Sequence, residues 1–155
     1  MNELNGYDIE DLSPGMSATF GKTITEADIG LFAGVSGDVN AIHLNQEFAE
    51  TTPFGGRIAH GILTAGLISA AIANHLPGPG TVYLEQQLRF LAPVRPGDTV
   101  NATVTIKEVI AERGQVVLET ICRVRGKDVV SGEARVKVGS SKKREEKKKL
   151  AAASV

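Results

Sequence analysis

The sequence predicts an α+β domain in which a curved antiparallel sheet wraps around one buried helix. The first observation is an almost entirely apolar stretch from Ile62 to Ala73, which has no polar face and therefore belongs inside the molecule. The second is a change of hydrophobic period from 3.6 to 2 after this stretch, which is typical of β-strands. Because a sheet of half-buried strands has one apolar face, we expect that face to cover the helix.

The buried helix has clear limits at both ends. Gly61 opens it, and it ends at His75-Leu76, ahead of the helix-stopping run PGPG at residues 77–80. The stretch is too short to span a bilayer, which takes about 20 apolar residues, and no membrane is expected as a partner. Since the helix is apolar nearly all round, one sheet leaves part of it uncovered. A second copy of the chain is the natural cover, which predicts a homodimer.

Four consecutive strands follow the helix, each with apolar side chains at alternating positions. The side chains predicted to face inward are Val82, Leu84, Gln86, Leu88 and Phe90; Val100, Ala102, Val104 and Ile106; Val116, Leu118, Thr120, Cys122 and Val124; and Val130, Ala134, Val136 and Val138. Short turns connect the strands, which predicts an antiparallel meander or a close relative of one. A further strand, with poorer alternation, is predicted between Met16 and Thr25.

Two shorter helices are predicted before the buried one. Thr25 is a candidate N-cap for the first of them, with Asp28 three positions further on. Asn45 is a candidate N-cap for a short helix over residues 46–50, which stops before Pro53.

Length and charge predict one domain followed by a separate tail. The 155 residues suit a single core, and we place the domain at residues 1–138 and a charged tail at residues 139–155. Residues 142–149 carry a net charge of +4, so the rest of the chain carries −5 of the total of −1. A segment of this composition is expected to be disordered and solvated.

The overall composition argues against several classes of protein. A net charge of −1 gives no reason to expect nucleic acid as a partner. Cys122 is the single cysteine, so no internal disulfide can form, which is typical of a reducing compartment. The first twelve residues are acidic and lack an apolar run, unlike a secretory signal, and we therefore expect a cytoplasmic protein.

Three polar residues lie close together before the buried helix. Asp38, Asn40 and His43 fall within six positions, in a loop that follows Gly37. A carboxylate and an imidazole at this separation can share one water molecule, and histidine can move a proton at neutral pH. Either residue alone is as readily explained as a turn residue or an incidental loop histidine. Their combination beside a buried helix favours a catalytic site.

Gly61 and the histidine before it lie at the mouth of the same site. The N–H of Gly61 has no intrahelical partner, and the helix dipole favours a hydrogen bond from it to a substrate carbonyl. Close packing alone is the competing explanation for this glycine. His60 is expected to support the site through a hydrogen bond. A metal site built from Asp38, His43 and His60 would lack a compact ligand motif, and we predict none.

Three other polar residues receive simpler interpretations. Ser69 lies within the apolar helix and either lines a pocket or bonds to its own backbone. His75, at the end of that helix, is interpreted as structural. Cys122 falls on an inward strand position and is interpreted as core. The chain contains no G-x-S-x-G motif, P-loop or dinucleotide-binding fingerprint.

Two stretches resemble the hydratase-2 motif of the MaoC-like hot-dog family. They are GDVNAIH at residues 37–43 and FGGRIAHG at residues 54–61. The resemblance covers residues 12–138 and includes YLEQQLRFLAPVRPGD at residues 83–98, which is similar to the strand and turn after the family's central helix. Short, single-domain (R)-specific enoyl-CoA hydratases are the members it looks most like. One departure is Ala41, because the family usually has proline before the Leu/Ile-His pair.

The resemblance implies a hot-dog fold and a homodimer with its active site near the subunit interface. It also implies roles for individual residues: catalytic for Asp38 and His43, orienting for Asn40, oxyanion hole for Gly61, and substrate contact for Ser69, Ile72, His60 and Arg57. The acyl pocket is the specific place expected for Ser69 and Ile72.

The reaction that the resemblance implies is reversible hydration of trans-2-enoyl-CoA to (R)-3-hydroxyacyl-CoA. Gly61 N–H would bind the thioester carbonyl, while the catalytic pair activates a water that adds at C3. In that family, such enzymes feed fatty-acid β-oxidation intermediates into polyhydroxyalkanoate synthesis. No metal or redox cofactor is implied, because CoA is part of the substrate.

Two other functions remain open at this point. A dehydratase that acts on an acyl-carrier-protein thioester would use the same motif together with a basic docking surface, for which Arg57, Arg89 and Arg95 are candidates. A non-catalytic hot-dog module would bind acyl thioesters or serve as a partner subunit. The joint presence of a carboxylate, an imidazole and a helix-opening glycine argues against this last alternative.

Overall fold

Residues 6–153 are described by a computed structural model, so the expectations for the first five and the last two residues lie outside it. The strands are β1 (Ser17–Thr23), β2 (Val82–Phe90), β3 (Thr99–Ile110), β4 (Gln115–Val124) and β5 (Lys127–Lys137). The helices are α1 (Glu26–Ser36), α2 (Ala41–Leu44), α3 (Gln46–Glu50), α4 (Gly61–Asn74) and α5 (Ser141–Ala153).

The five strands form one antiparallel sheet in the order β1-β3-β4-β5-β2. Strands β3, β4 and β5 are a meander, as predicted. Strand β2 pairs with β5 instead of its successor β3, and this pairing places Phe90 opposite Val130. The result is a close relative of a meander in which β1 and β2 are the two edges. Alternation fixes which side chains face inward, but it does not determine which strands are neighbours.

Helix α4 lies against the inner face of the sheet, where it contacts β1, β3, β4 and β5. The predicted burial of this helix is confirmed for the face formed by Thr64, Leu67, Ile68, Ala71 and Ile72. The predicted inward side chains of β3, β4 and the β5 region are buried as well. The α+β prediction of a sheet around a central helix is therefore confirmed.

Local sequence signals account for the helices before α4. Thr25 caps α1 by accepting a hydrogen bond from the backbone N–H of Asp28, whose carboxylate accepts one from the Thr25 N–H in return. Asn45 caps α3 through its side-chain oxygen, which accepts from the N–H of Phe48. Both predicted N-caps are confirmed, and together these helices bring the chain back towards the start of α4.

The tail departs from the expectation of disorder, because residues 141–153 form α5. Lysine, glutamate, leucine and alanine all favour helix, and Glu145 precedes Lys149 at the stabilising i, i+4 spacing. The first turn is anchored to the body, since Glu10 accepts hydrogen bonds from Ser140 and Ser141. None of the residues of α5 is buried, so the prediction that the tail stays outside the core is confirmed.

One side of the molecule leaves apolar groups exposed. Ile62 on α4 is 56% exposed, and Gly66, Ser69 and Ala73 continue the same exposed stripe of that helix. On the edge strand β2, the side chains of Val82 and Leu84 are also exposed. The helix is thus covered by the sheet on one side only, as its all-round apolar character predicts.

Candidate active site

The catalytic loop begins where α1 ends. Gly37 terminates this helix in the left-handed conformation with φ of 77°, which favours glycine because it has no Cβ. The chain then turns so that Asp38 directly precedes the segment leading into α2. The Asp38 carboxylate is exposed, and its Oδ1 accepts a hydrogen bond from the backbone N–H of Asn40 at 3.3 Å. The loop therefore orients one carboxylate oxygen and leaves Oδ2 available.

His43 is buried on α2 with its ring orientation fixed by the backbone. Its Nδ1 lies 2.8 Å from the carbonyl oxygen of Ile58, which can only accept a hydrogen bond. Nδ1 must therefore carry a proton, and in the neutral ring the lone pair is on Nε2. That atom lies 4.0 Å from Asp38 Oδ2. The hydrogen bond to Ile58 thus points the basic nitrogen of His43 towards the Asp38 carboxylate.

The separation of 4.0 Å between Asp38 Oδ2 and His43 Nε2 is too long for a direct hydrogen bond. It suits two acceptors that share one water. A water oxygen about 2.8 Å from each atom would direct its two O–H bonds about 90° apart, close to the natural angle of water. Both hydrogens of such a water are held by the protein, and its oxygen lone pairs are free to attack a substrate.

His60 contacts both members of this pair. Its Nε2 lies 2.9 Å from the Asp38 carbonyl oxygen, so Nε2 carries the proton and donates it. Its ring stacks on the His43 ring with 3.9 Å between centroids. The Phe32 ring also packs against the His60 ring, with 4.8 Å between centroids. His60 Nδ1 is buried and, among the described residues, has no hydrogen-bond partner. His60 thus contacts the Asp38 backbone and the His43 ring, and its role as a support for these two residues stays a prediction.

Asn40 acts through its position in the loop. Its side-chain Oδ1 accepts a hydrogen bond from the N–H of Ile42 at 3.2 Å and so caps α2. Ala41 is the first residue of that helix, a position where proline is favoured because its missing N–H would have no helical partner. The Asn40 cap supports α2 with alanine at this position. Asn40 thus supports the loop that carries Asp38 and His43, and its orienting role in catalysis stays a prediction.

Gly61 begins α4 immediately after His60. The preceding residue Ala59 donates its N–H to the Val94 carbonyl at 2.7 Å, which fixes the approach to the helix. At the first helical position the Gly61 N–H has no intrahelical acceptor, and the positive end of the helix dipole lies there. This N–H is a candidate oxyanion-hole donor, as the sequence predicts.

A cavity of about 430 Å³ opens beside the N-terminal end of α4. Its walls include His43 and the first turn of α4, at Gly61, Ile62 and Thr64. The chain from Phe90 to Val94 also lines it, together with Phe54 and Val130. The cavity is largely apolar and brings the His43 ring together with the Gly61 N–H region, which suits an acyl group with one reactive polar end.

None of the four residues with predicted substrate contacts, which are Arg57, His60, Ser69 and Ile72, lines this cavity. Ile72 is 1% exposed and lies in the core, whereas Ser69 is exposed further along the stripe of α4 that begins at Ile62. Neither residue lines the cavity, because Ile72 packs in the core and Ser69 lies about 10 Å beyond Ile62 along the helix axis. The burial of Ile72 argues against its expected place in an acyl pocket. Arg57 is bound to Glu26 through two short hydrogen bonds of 2.6 and 2.8 Å. It therefore serves to link the segment before α4 to α1.

Phe90 and Phe54 are the two aromatic residues among the cavity residues that the sequence did not assign to the site. Alternation predicts only that Phe90 faces inward on its strand, and Phe54 opens the motif segment at residues 54–61 without a role of its own. The sequence feature that could have indicated both residues is their aromatic character, because aromatic side chains are common in binding pockets.

Asp38, His43 and His60 also form a compact group of potential metal ligands, with one ligand atom from each lying within 4.8 Å of the others. The two imidazole planes are stacked and only 32° apart. Their in-plane lone pairs therefore meet well beyond the metal–nitrogen bond length of about 2.0–2.1 Å. The group fits proton transfer better than metal coordination in this conformation.

Cys122 is a buried side chain on β4, and its Sγ lies 3.8 Å from the Thr64 carbonyl. Burial raises the pKa of its thiol to about 12. The thiol is therefore protonated at neutral pH and does not act as a nucleophile. The interpretation of Cys122 as a core residue is confirmed by its burial.

Known proteins resemble this chain over nearly its whole length. The family described as MaoC like domain matches residues 12–128. An (R)-specific enoyl-CoA hydratase from Rhodospirillum rubrum is 54% identical over 129 residues, which cover 83% of this chain and 90% of the relative. The R-hydratase PhaJ1 from Pseudomonas aeruginosa, in its unliganded form, has a TM-score of 0.83 and 42% identity, covering 89% of both chains.

A second solved structure is the (R)-hydratase from Aeromonas caviae involved in PHA biosynthesis. It has a TM-score of 0.81 and 38% identity, covering 83% of this chain and 98% of the other. These matches include the catalytic loop, α4 and most of the sheet, so the chain belongs to the MaoC-like family and has its hot-dog fold.

Proposed function

We propose that this protein is an (R)-specific enoyl-CoA hydratase, which adds water reversibly to trans-2-enoyl-CoA and forms (R)-3-hydroxyacyl-CoA. The observation that carries the proposal is the separation of 4.0 Å between Asp38 Oδ2 and His43 Nε2. Both atoms are acceptors, and the His43 ring opens into the same cavity as Gly61. The 54% identity to the Rhodospirillum rubrum (R)-specific enoyl-CoA hydratase supports the reaction and its stereochemistry.

The proposed mechanism begins with the thioester carbonyl bound to the Gly61 N–H. Water held by Asp38 and His43 adds its oxygen to C3, and one of its protons passes to the catalytic pair. The π electrons of the C2–C3 bond move towards the carbonyl, giving an enolate that the Gly61 N–H and the helix dipole stabilise. The enolate then takes a proton at C2 from the same pair. Water is consumed, and the protein returns to its starting state.

The reaction as written needs no metal and no redox cofactor. Addition of water changes no overall oxidation state, and the two acceptors and the N–H supply the acid, the base and the oxyanion contact. CoA enters and leaves as part of the substrate.

Contacts of the arginine residues favour CoA over an acyl carrier protein. Arg57 is paired with Glu26, and Arg95 donates to the Phe54 carbonyl. Two of the three candidate docking cations are thus used within the chain. A non-catalytic module is disfavoured, because thioester binding alone does not require a carboxylate and an imidazole placed so that they can share one water. The Aeromonas caviae (R)-hydratase involved in PHA biosynthesis supports supply of polyhydroxyalkanoate synthesis as the proposed role here.

The proposed assembly is a homodimer in a cytoplasmic setting. Strand β2 is an edge with exposed apolar side chains, and the exposed stripe of α4 lies on the same helix as Gly61. An uncovered apolar edge of this kind is a pairing surface, and a second copy would cover it. Within residues 6–153, no helix is long and apolar enough to cross a membrane.

The dimer is tested by light scattering of the Leu84→Lys variant, with Leu31→Lys as the control. Leu84 is on the β2 edge, whereas Leu31 is 73% exposed on α1. We expect a dimer for the parent chain and the control, and dissociation of the edge variant. Dimers of equal stability in all three proteins would contradict the assignment of the interface.

The function is tested by mixing the purified protein with crotonyl-CoA and following loss of the enoyl absorbance. Chiral analysis of the 3-hydroxybutyryl-CoA product should show the R enantiomer. A parallel assay with the crotonyl thioester of an acyl carrier protein compares kcat/KM for the two carriers. Higher kcat/KM with the carrier protein would favour the dehydratase, and no turnover of either thioester would favour the non-catalytic module.

A further inference from the structure

Phe90 is the side chain that lies directly against Gly61. A Cβ atom built on Gly61 would lie 2.7 Å from Phe90 Cε1 and 2.8 Å from Cδ1. Non-bonded carbon atoms prefer about 3.5–4.0 Å, so the ring occupies the space that a side chain at position 61 would need. Gly61 is helical and does not have a positive φ. Glycine at position 61 therefore lets the Phe90 ring approach the helix closely. No unusual backbone conformation requires glycine there.

The backbone of Phe90 is fixed by the sheet. Phe90 pairs with Val130 at the end of the β2–β5 ladder, and the next residue, Leu91, donates its N–H to the Val129 carbonyl at 2.9 Å. Phe90 as a whole residue is 54% exposed and forms part of the cavity wall. Truncation of Phe90 therefore widens the cavity without opening a void in the core.

The contact between the Phe90 ring and Gly61 indicates which part of the acyl group lies near the ring. In the proposed function, the thioester carbonyl oxygen accepts a hydrogen bond from the Gly61 N–H. The carbonyl carbon then lies beside Gly61, and C2 is the acyl carbon bonded directly to it. The Phe90 ring flanks Gly61 at this end of the cavity, and His43, which would hold the attacking water, lines the same cavity.

We propose that Phe90 is a specificity-determining residue that excludes substituents at C2 of the enoyl thioester. Its ring fills the space beside the carbonyl-binding N–H, so a thioester with hydrogen at C2 fits and one with a methyl group at C2 meets the ring. The inference rests on the proposed function, because the position of C2 follows from the Gly61 contact. It adds a substrate class, unbranched at C2, which no motif in the sequence specifies.

The test compares kcat/KM for crotonyl-CoA and for its 2-methyl analogue, trans-2-methylbut-2-enoyl-CoA. One methyl group in a fitted apolar site changes kcat/KM by about 10–200-fold, and we expect discrimination of this size in the parent chain. Phe90→Ala should reduce the discrimination at least about tenfold, mainly through a gain on the branched substrate. Phe48→Ala is the matched control, since Phe48 is a half-exposed aromatic on α3 that does not line the cavity.

A second pair of variants tests the contact itself. Gly61→Ala should lose activity on crotonyl-CoA in the parent chain, because the new methyl group displaces the Phe90 ring into the cavity. The same substitution in the Phe90→Ala background should cost at least about tenfold less. Equal losses in both backgrounds would show that position 61 is limited by something other than the ring.

The outcomes distinguish a failure of the proposed hydratase function from a failure of the proposed role of Phe90. Absence of crotonyl-CoA hydration by the parent chain would contradict the proposed function. Hydration of crotonyl-CoA with unchanged discrimination in Phe90→Ala would leave that function standing and overturn the role of Phe90. Equal kcat/KM of the parent chain for both substrates would also overturn it.

Discussion

The two ends of α4 are built from similar apolar residues but have different surroundings. At the N-terminal end, between His60 and Thr64, the helix meets a cavity, a carboxylate and a stacked pair of imidazoles. In the C-terminal half, from Leu67 to Asn74, one face is in the core and the other is exposed. The difference lies in the unpaired N–H groups and the access to solvent at the start of the helix, which the helix interior lacks. The predictions below test this division.

The largest effect is expected from the catalytic pair at the N-terminal end. Asp38→Asn and His43→Ala should each reduce kcat for crotonyl-CoA hydration by about 10²–10⁴-fold, because either change removes an acceptor of the attacking water. Circular dichroism and melting temperature should stay near those of the parent chain for Asp38→Asn, since the carboxylate is exposed. The control is His75→Ala, at the other end of α4, which should retain full activity. Near-parent kcat in either catalytic variant would end the assignment.

In the C-terminal half we expect a loss of stability without a change of substrate preference. Ile72→Ala should lower the free energy of unfolding by about 2–5 kcal/mol, since Ile72 is a fully buried core residue. The ratio of kcat/KM for four-carbon and eight-carbon enoyl-CoA should stay unchanged. Ser69→Ala, on the exposed face of the helix, is the control and should alter neither property of the isolated chain. A shift towards longer acyl chains in Ile72→Ala would restore the pocket role that its burial argues against.

His60 sharpens the comparison because it supports the site without lining the cavity. His60→Leu removes the hydrogen bond to the Asp38 carbonyl and the stack on His43, and should lower kcat up to about 10²-fold through misplacement of the pair. KM should change little. His60→Gln retains an N–H donor and should recover part of kcat, while His75→Leu should have no effect. Parallel losses in stability and activity, without recovery by glutamine, would indicate a purely structural role.

The smallest effect on stability is expected from Glu10, which anchors the first turn of α5 and is remote from both ends of α4 in sequence. Hydrogen bonds, chiefly from Ser140, lower the pKa of Glu10 from its usual 4.5 to about 2. A carboxyl with a lowered folded-state pKa stabilises the fold above its usual pKa, and this contribution is lost as the pH falls from about 4.5 towards 2. Because Glu10 is exposed, solvent screening reduces the effect to about 0–1 kcal/mol.

Glu10→Gln should therefore lower the melting temperature slightly at pH 7 and converge with the parent chain at acid pH. Glu112→Gln, an exposed residue elsewhere, provides the control for loss of charge alone. The measurement is thermal unfolding at pH 7, 5 and 3. A difference that grows as the pH falls would have the wrong sign and would refute the anchor.

Much of the fold was predictable because its signals are local. The apolar run of α4, the alternation in β3 and β4, and the caps at Thr25 and Asn45 each depend on nearby residues. The pairing of β2 with β5 was not predictable, because strand neighbours are set by contacts distant in sequence. Helix α5 was not predicted, because the net charge of the tail favours disorder. The helix propensity of its lysine, glutamate, leucine and alanine residues has the opposite effect.

The site was predictable where a motif fixed it and less so where geometry decides. Asp38, His43 and Gly61 follow from the motif, although their roles still await the experiments above. The tautomers of the two histidines depend on which carbonyl each ring meets, and a sequence does not specify that. Phe90 was missed for the same reason: its contact with Gly61 joins an edge strand to a helix start.

The fixed histidine tautomers make this site suitable for magnetic resonance. The chain has three histidines, and two of them keep a ring proton in a hydrogen bond to a backbone carbonyl. Such protons exchange slowly with solvent and resonate away from the crowded amide region, so two signals would report directly on the catalytic pair and its support. Nitrogen-15 labelling of histidine alone would then follow the arrival of a thioester without any change to the sequence.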